Sequence, residues 1–280
     1  MSTKGRRDGA AGLPVPSGDD DLTIVQAGPV RRITLARPDR RNALGRALVA
    51  ALHAAFAAIK EGGETRVVLL AGDGPTFCAG GDIAEFASAA ADCHAAADAA
   101  ALADLLATMA ACPAPIVARV HGAAYGGGVG LVSAADVALA AEGTRFSLSE
   151  ARLGLVPAVI SPYVFAALGE REAKARMLRA APFGAEEALR CGLVHQVVPA
   201  AALYAAADEA VVDLLQGAPG ALAAIKRLPV AVSGANSAAT RAATTALLVD
   251  RLASDEGREG LRAFLEKRPA AWVPTPPEAT

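Results

Sequence analysis

Two stretches of this chain share one plan, and that plan limits what the chain can fold into. In "RVVLLAGDGPTFCAGGDIAEF", residues 66–86, and "IVARVHGAAYGGGVGLV", residues 116–132, a β-branched apolar run ends in glycines and leads into helix-forming residues. A run that is apolar on both faces suits a strand of a buried parallel sheet. Glycine lets the following turn take positive φ and lets a ligand approach the backbone. A helix N-terminus presents unpaired N–H groups and the positive end of the helix dipole. One such turn binds an anion. Two that converge hold one oxyanion between two N–H donors, about 2.7–3.1 Å from each, as acyl-transfer and enolate chemistry requires. Read singly, each glycine cluster is equally a tight turn or a close helix contact. The spacing "GGGVG" does not match the G-x-G-x-x-G turn of dinucleotide binders.

The rest of the chain surrounds these turns with α/β material. "LTIVQAGPVRRITLARP" reads as a hairpin around Gly28. Leu44, Leu48, Leu52, Phe56 and Ile59 recur at helical spacing. Residues 87–111 read as one helix closed by Pro113 and Pro115. "ADVALAA" and "GLVHQVV" are further strand candidates. Beyond Pro199 only helices are predicted, over 201–216, 220–227, 238–252 and 256–267. The expected division is a tail over residues 1–20, an α/β core over 21–200 and a helical region over 201–280. The sequence shows no internal period.

Composition narrows the function classes. With 280 residues, a net charge of -2 and 53% hydrophobic residues, the chain has no basic stripe for nucleic acid or for an anionic membrane surface. Its four cysteines, Cys78, Cys93, Cys112 and Cys191, have no CxxC pair and no zinc spacing, so free thiols and no metal are expected. The first residues lack the apolar core of a signal peptide, and their Gly, Pro and Asp content reads as a disordered tail. A cytoplasmic setting is expected.

Five motifs, "RPDRRNAL", "FCAGGDI", "HGAAYGGGVGL", "FSLSEARLGLVPA" and "EGLRAFLEKR", follow in this order. Together they resemble the crotonase (enoyl-CoA hydratase/isomerase) superfamily, from about Leu22 to about Arg268. The resemblance implies a crotonase-like ββα spiral core with a C-terminal helical trimerisation region, and an acyl-CoA thioester as substrate. It implies a homo-trimer or a dimer of trimers and no separate cofactor, coenzyme A being part of the substrate. It assigns the oxyanion donors to the N–H groups of Gly81 and Gly127. The substrate and CoA strip then takes in Ala79, Asp82, Ile83, Tyr125, Gly126, Ser149 and Leu153. Arg40, Arg41 and Ala43 border the CoA phosphates, with Arg37 a further cation; read alone, these arginines are solvated surface. Phe264 and Lys267 are implied to reach CoA near a subunit boundary; Phe264 is equally a core residue.

Typical hydratases of this family carry two glutamates. One matches Glu150; where the other would stand this chain has Gly130. Glu150 is therefore the expected acid/base, although alone it reads as a surface or capping carboxylate. Glycine at 130 removes a charge and is expected to open space. Both favour a branched or carboxylated acyl group, and the segment "VPAVISPYV" resembles the branch acting on 3-methylglutaconyl-CoA. Double-bond isomerisation with one glutamate is the alternative, and a non-catalytic acyl-CoA-binding protein the alternative of another class. Tyr125, Ser161 and Tyr163 are the fallback bases, and His121 is expected to be a supporting residue.

Overall fold

The computed structural model describes residues 21–91, 94–232 and 237–274. The tail over 1–20 and Cys93 lie outside the described residues. The hairpin expected around Gly28 forms from β1 (Leu22–Ala27) and β2 (Val30–Leu35), paired antiparallel, with Gly28 at φ 54°. After α1 (Arg46–Ala57) comes β3 (Val67–Gly72), buried along its whole length. Two helices follow, α2 (Ile83–Ala91) and α3 (Ala95–Ala111), where the sequence reading has one helix starting at 87. Asp82 explains the earlier start: its carboxylate accepts from the N–H groups of Ala84 and Glu85, capping α2.

The next elements repeat a pattern. β4 (Ile116–Val120), β5 (Ala123–Tyr125) and α4 (Gly127–Ala134) form one turn; β6 (Val137–Ala141), β7 (Arg145–Ser147) and α5 (Ser161–Leu168) form another. In each turn the first strand joins a six-stranded sheet of order β1-β2-β3-β4-β6-β9, and the second joins a three-stranded sheet of order β5-β7-β8. β3 leads into the same arrangement, since Cys78 bridges Ala124 in parallel. This is the ββα spiral expected from the resemblance. The chain continues through α6 (Glu170–Arg179), β8 (Phe183–Gly184), α7 (Ala185–Arg190) and β9 (Gln196–Val198). Between the sheets the core is apolar, and Phe146 and Phe183 stack at 5.7 Å.

Four helices close the chain: α8 (Leu203–Leu215), α9 (Pro219–Ala231), α10 (Ala238–Ala253) and α11 (Asp255–Leu265). α8 packs Leu203, Ala207, Val211 and Leu215 on Val67, Leu69, Val117 and Leu139, covering the second face of the large sheet. α9 runs past Pro229, where the sequence reading ends it at Arg227. A proline so near the end forfeits one hydrogen bond only, and the Val232 N–H still reaches the Leu228 carbonyl. Among the described residues no helix is long and apolar enough to cross a membrane.

The turns after β3 and β4 are zipped together. Phe77 and Cys78 donate to the carbonyls of His121 and Ala123, and Tyr125 donates back to that of Cys78. Gly122 makes this approach possible: it sits at φ 64°, and a Cβ there would stand 1.9 Å from the Pro75 carbonyl oxygen. Gly122→Ala combines left-handed strain with a backbone clash, so its cost exceeds about 1 kcal/mol. A thermal melt of Gly122→Ala is expected to show a clear loss of Tm or no folded protein.

Candidate active site

The two glycine turns meet at the carboxyl ends of β3 and β4. In the first, residues 79–82 lie beside residues 41–44: Ala79 donates to the Arg41 carbonyl, Leu44 to that of Gly80, and Asp82 to that of Leu44. Because Leu44 uses both its own groups on Gly80 and Asp82, the intervening Gly81 N–H faces the opposite way. In the second turn Gly126, at φ 47° and ψ -114°, donates to the Ser147 carbonyl and caps α4, leaving Gly127 as the first helical residue. Its N–H is one of the unpaired donors of a helix start. The turns are in contact: a Cβ built on Gly127 would lie 3.9 Å from the Gly81 nitrogen, and one on Gly80 3.6 Å from the Gly127 nitrogen. Neither N–H has an acceptor among the described residues. The two glycine turns thus lie side by side, each with an N–H that no group among the described residues accepts from.

Glu150 opens the 3-10 helix Glu150–Leu153, with Ser149 as its N-cap. The carboxylate folds back over the second turn, its Oε1 2.9 Å from where a Cβ on Gly126 would be. A side chain at 126 would displace it. The other oxygen, Oε2, is buried without a hydrogen-bond partner. Burial holds this carboxyl above the ordinary carboxylate range, offset in part by its own backbone N–H. The carboxyl is thus no freely solvated surface group. Chemically, the site can polarise a carbonyl with two amides and move a proton with one carboxylate beside it.

Of the fallback bases, the Ser161 hydroxyl donates to the Ala158 carbonyl, and burial pushes the Tyr163 phenol up, away from useful basicity. Burial likewise pushes the Cys78 thiol up to about 12, so it stays protonated behind the first turn. His121 bonds the Gly74 carbonyl through Nε2, a supporting position.

Gly130 overturns one expectation. It does not open space. A Cβ there would stand 2.5 Å from Cγ2 of Ile160 and 3.8 Å from Cδ1 of Leu106. The room left by the missing side chain is filled by a branched residue just before α5, so the argument from space for a branched or carboxylated acyl group falls. The loss of a charge remains.

Arg40 and Arg41 stand on the outer loop before α1, and Asp82 departs from the expected strip. Arg40 is half-exposed, 3.2 Å from Asp82. Asp82 itself is 5% exposed and faces inward, capping α2 and bracing Arg40 and Arg37. Its side chain therefore positions cations and does not offer itself to a ligand. Arg37 is occupied, donating to the Ala43 carbonyl and pairing with Asp21. Arg41 takes φ 52° and is solvent-exposed. Ile83 and Leu153 expose apolar side chains, and Tyr125 contributes through its backbone. The sequence reading missed Asn42. Fully buried, its amide donates to the carbonyls of Asp73 and Thr76 while its oxygen accepts from Arg37 N–H, tying the loop over residues 37–43 to the first turn. Its place in "RPDRRNAL" was the available signal.

Phe264 and Lys267 are not brought to these turns by their own chain. Phe264 is 82% exposed, which excludes the core reading. α11 packs on α10, and the segment after it is tied back by Trp272, whose carbonyl accepts from Arg66 and whose indole N–H donates to Gln216. Arg66 precedes β3, whereas the glycine turns follow its far end, six residues or ~20 Å away along the strand.

The chain matches the sequence model of the family described as Enoyl-CoA hydratase/isomerase over residues 26–274. It is 34% identical over 250 residues to the enoyl-CoA hydratase ACTT6 of Alternaria alternata, covering 88% of this chain and 82% of that protein. The structure of an enoyl-CoA hydratase from Shewanella pealeana is similar with a TM-score of 0.86 at 35% identity, covering 90% of this chain and 96% of that one. Pseudomonas aeruginosa AtuE is similar with a TM-score of 0.87 at 38% identity, covering 91% and 100%. The fold is that of the crotonase superfamily. The chain belongs to the enoyl-CoA hydratase/isomerase family, whose members act on acyl-CoA thioesters.

Proposed function

We propose that the chain is an enoyl-CoA hydratase that works with one carboxylate. The observation that carries this is Glu150: a half-buried carboxylate with one unpartnered oxygen, folded over Gly126 beside the Gly127 N–H. The thioester oxygen accepts from Gly81 and Gly127. Glu150 takes a proton from water as the water oxygen bonds to Cβ, and the electron pair of the double bond moves onto the thioester oxygen as an enolate. Glu150 then returns the proton to Cα, collapsing the enolate. Water is consumed and the enzyme ends as it began. Arg40 and Arg41 serve the CoA phosphates. No separate cofactor takes part.

Isomerisation of the double bond is the second reading, and the Ile160-filled notch favours it as much as single-carboxylate hydration: both need only one proton carrier. Incubation with crotonyl-CoA and with a 3-enoyl-CoA separates them. The expected product is a 3-hydroxyacyl-CoA from the first. A 2-enoyl-CoA from the second, with no hydration, overturns the proposal in favour of the isomerase. Binding of acyl-CoA without turnover of either makes the chain a binding protein. A carboxylated branched enoyl-CoA in the same panel tests the 3-methylglutaconyl-type substrate.

In this reading residues 21–200 carry the chemistry and 201–280 the assembly. Exposed Leu261, Phe264 and Leu265 on α11 suit a contact between copies in a trimer, through which Phe264 and Lys267 reach a neighbour's CoA. Sedimentation at micromolar concentration is expected to show a trimer or a hexamer. A fully active monomer would overturn this.

A further inference from the structure

We infer that Ile160 is a specificity-determining residue, the apolar wall that decides which acyl branch fits beside Glu150; this rests on the acyl-CoA reading above. α4 supplies the geometry. Gly126 is the N-cap and Gly130 donates to its carbonyl at 3.1 Å, so the two stand one helical turn apart, about 6 Å along the axis. Glu150 lies over the first and Ile160 over the second. The carboxylate and the isoleucine therefore cover positions one helical turn apart at the start of α4. Ile160 is 3% exposed and its Cγ2 enters the notch that glycine leaves, with Leu106 behind it. A side chain so enclosed has little freedom to yield.

The position of the wall relative to substrate follows from the same helix. The thioester oxygen is held at Gly127 N–H, the residue after Gly126, and the reacting carbons lie within reach of Glu150. A methyl on the 3-carbon, or the chain beyond it, is carried down the face toward Gly130 and meets Ile160. Ile160 also connects two functional parts: it ends the segment that begins at Glu150 and packs into the helix that carries an amide donor. A polar or anionic group placed there would lose water without gaining a partner, so the wall suits an uncharged acyl group.

The test uses Ile160→Val, Ile160→Ala, Gly130→Ala and the double variant Gly130→Ala with Ile160→Ala. Val keeps Cγ2 and the lock in the notch while shortening the wall by one methyl, so it folds even if the alanine variant does not. Affinities for butanoyl-CoA and 3-methylbutanoyl-CoA are measured by calorimetry, and kcat/KM for the corresponding 2-enoyl-CoA thioesters. The ratio of branched to linear is expected to rise in both Ile160 variants, by about 10-fold or more in the alanine variant. A purely structural role would weaken both ligands alike. Gly130→Ala is expected to lower Tm, and the Ile160→Ala background to remove most of that loss. An unchanged branched-to-linear ratio in both Ile160 variants overturns the inference, whether read by turnover or by binding. Failure of the wild-type protein to turn over any enoyl-CoA overturns the hydratase reading instead, and leaves the binding ratio to judge Ile160.

Discussion

Glu150→Gln is expected to lose turnover while binding acyl-CoA nearly as well as the wild-type protein. The amide keeps the shape of the side chain over Gly126 but accepts no proton at neutral pH. Removing a positioned acid/base costs about 10²–10⁴-fold in rate, and Gly130, packed against Ile160, supplies no second carboxylate to compensate. Steady-state kinetics with crotonyl-CoA and calorimetry with a saturated thioester check both halves. Near-wild-type turnover would sink the single-carboxylate mechanism. Stability should move the other way. Burial raises the Glu150 carboxyl, so the native state keeps its proton to higher pH than the unfolded chain does. The stability tied to that group is complete below the ordinary carboxylate pKa and is lost as pH rises through the raised one. Ionising this buried carboxyl, one oxygen of which is unpartnered, costs stability, and Glu150→Gln removes that cost. Tm of the variant should exceed that of the wild type at pH 7, with the gap closing in acid. A gap that widens in acid would mean that the carboxylate is stabilised by its surroundings.

Gly127→Pro should be nearly as damaging to catalysis, for a different reason. The first residue of a helix is where proline is tolerated, since its N–H has no partner inside the helix. Gly127 holds that place in α4. Proline there removes one amide donor and spares the helix. Loss of one oxyanion donor costs about 10²–10³ in kcat. Gly127→Ala is the control. It keeps the N–H, and its Cβ crowds Cδ1 of Leu44, at 2.8 Å, the far end of a flexible side chain, while Gly81 N and Gly80 Cα at 3.9 and 4.0 Å are ordinary contacts. Circular dichroism should show both variants folded, with the rate loss confined mainly to proline. Equal losses in the two would assign the effect to crowding at Leu44 and remove Gly127 from the oxyanion hole.

Much of the site could be read from the sequence because its chemistry lies in the backbone. A turn that must take positive φ or lie against another chain segment demands glycine locally, so the two turns announce themselves in 66–86 and 116–132. Helices α1 and α8 through α11 are likewise legible from spacing alone. The short strands were not. β5, β7 and β8 are two or three residues long, and their strand state comes from pairing with one another and not from any local run. The ββα repeat came from the resemblance and not from any period, for the same reason: its second strands have too few residues to carry one. Asp82 shows a further gap. A motif says that an aspartate stands beside the turn, but not that its carboxylate faces inward to cap α2 and brace Arg40.

By itself the sequence determined the α/β class, the two glycine turns, the family resemblance, Glu150 as a lone carboxylate and the helical C-terminus. Each depends on residue type at a position or on spacing within one element. Tertiary structure alone decided that the two glycine turns lie against each other, that burial perturbs Glu150, that Phe264 and Lys267 lie away from their own chain's turns, and that Gly130 admits Ile160 instead of opening a cavity. Gly130 and Ile160 are thirty positions apart, and the fit of a methyl into the notch left by a missing side chain is a property of packed volume, which no local pattern of residues encodes.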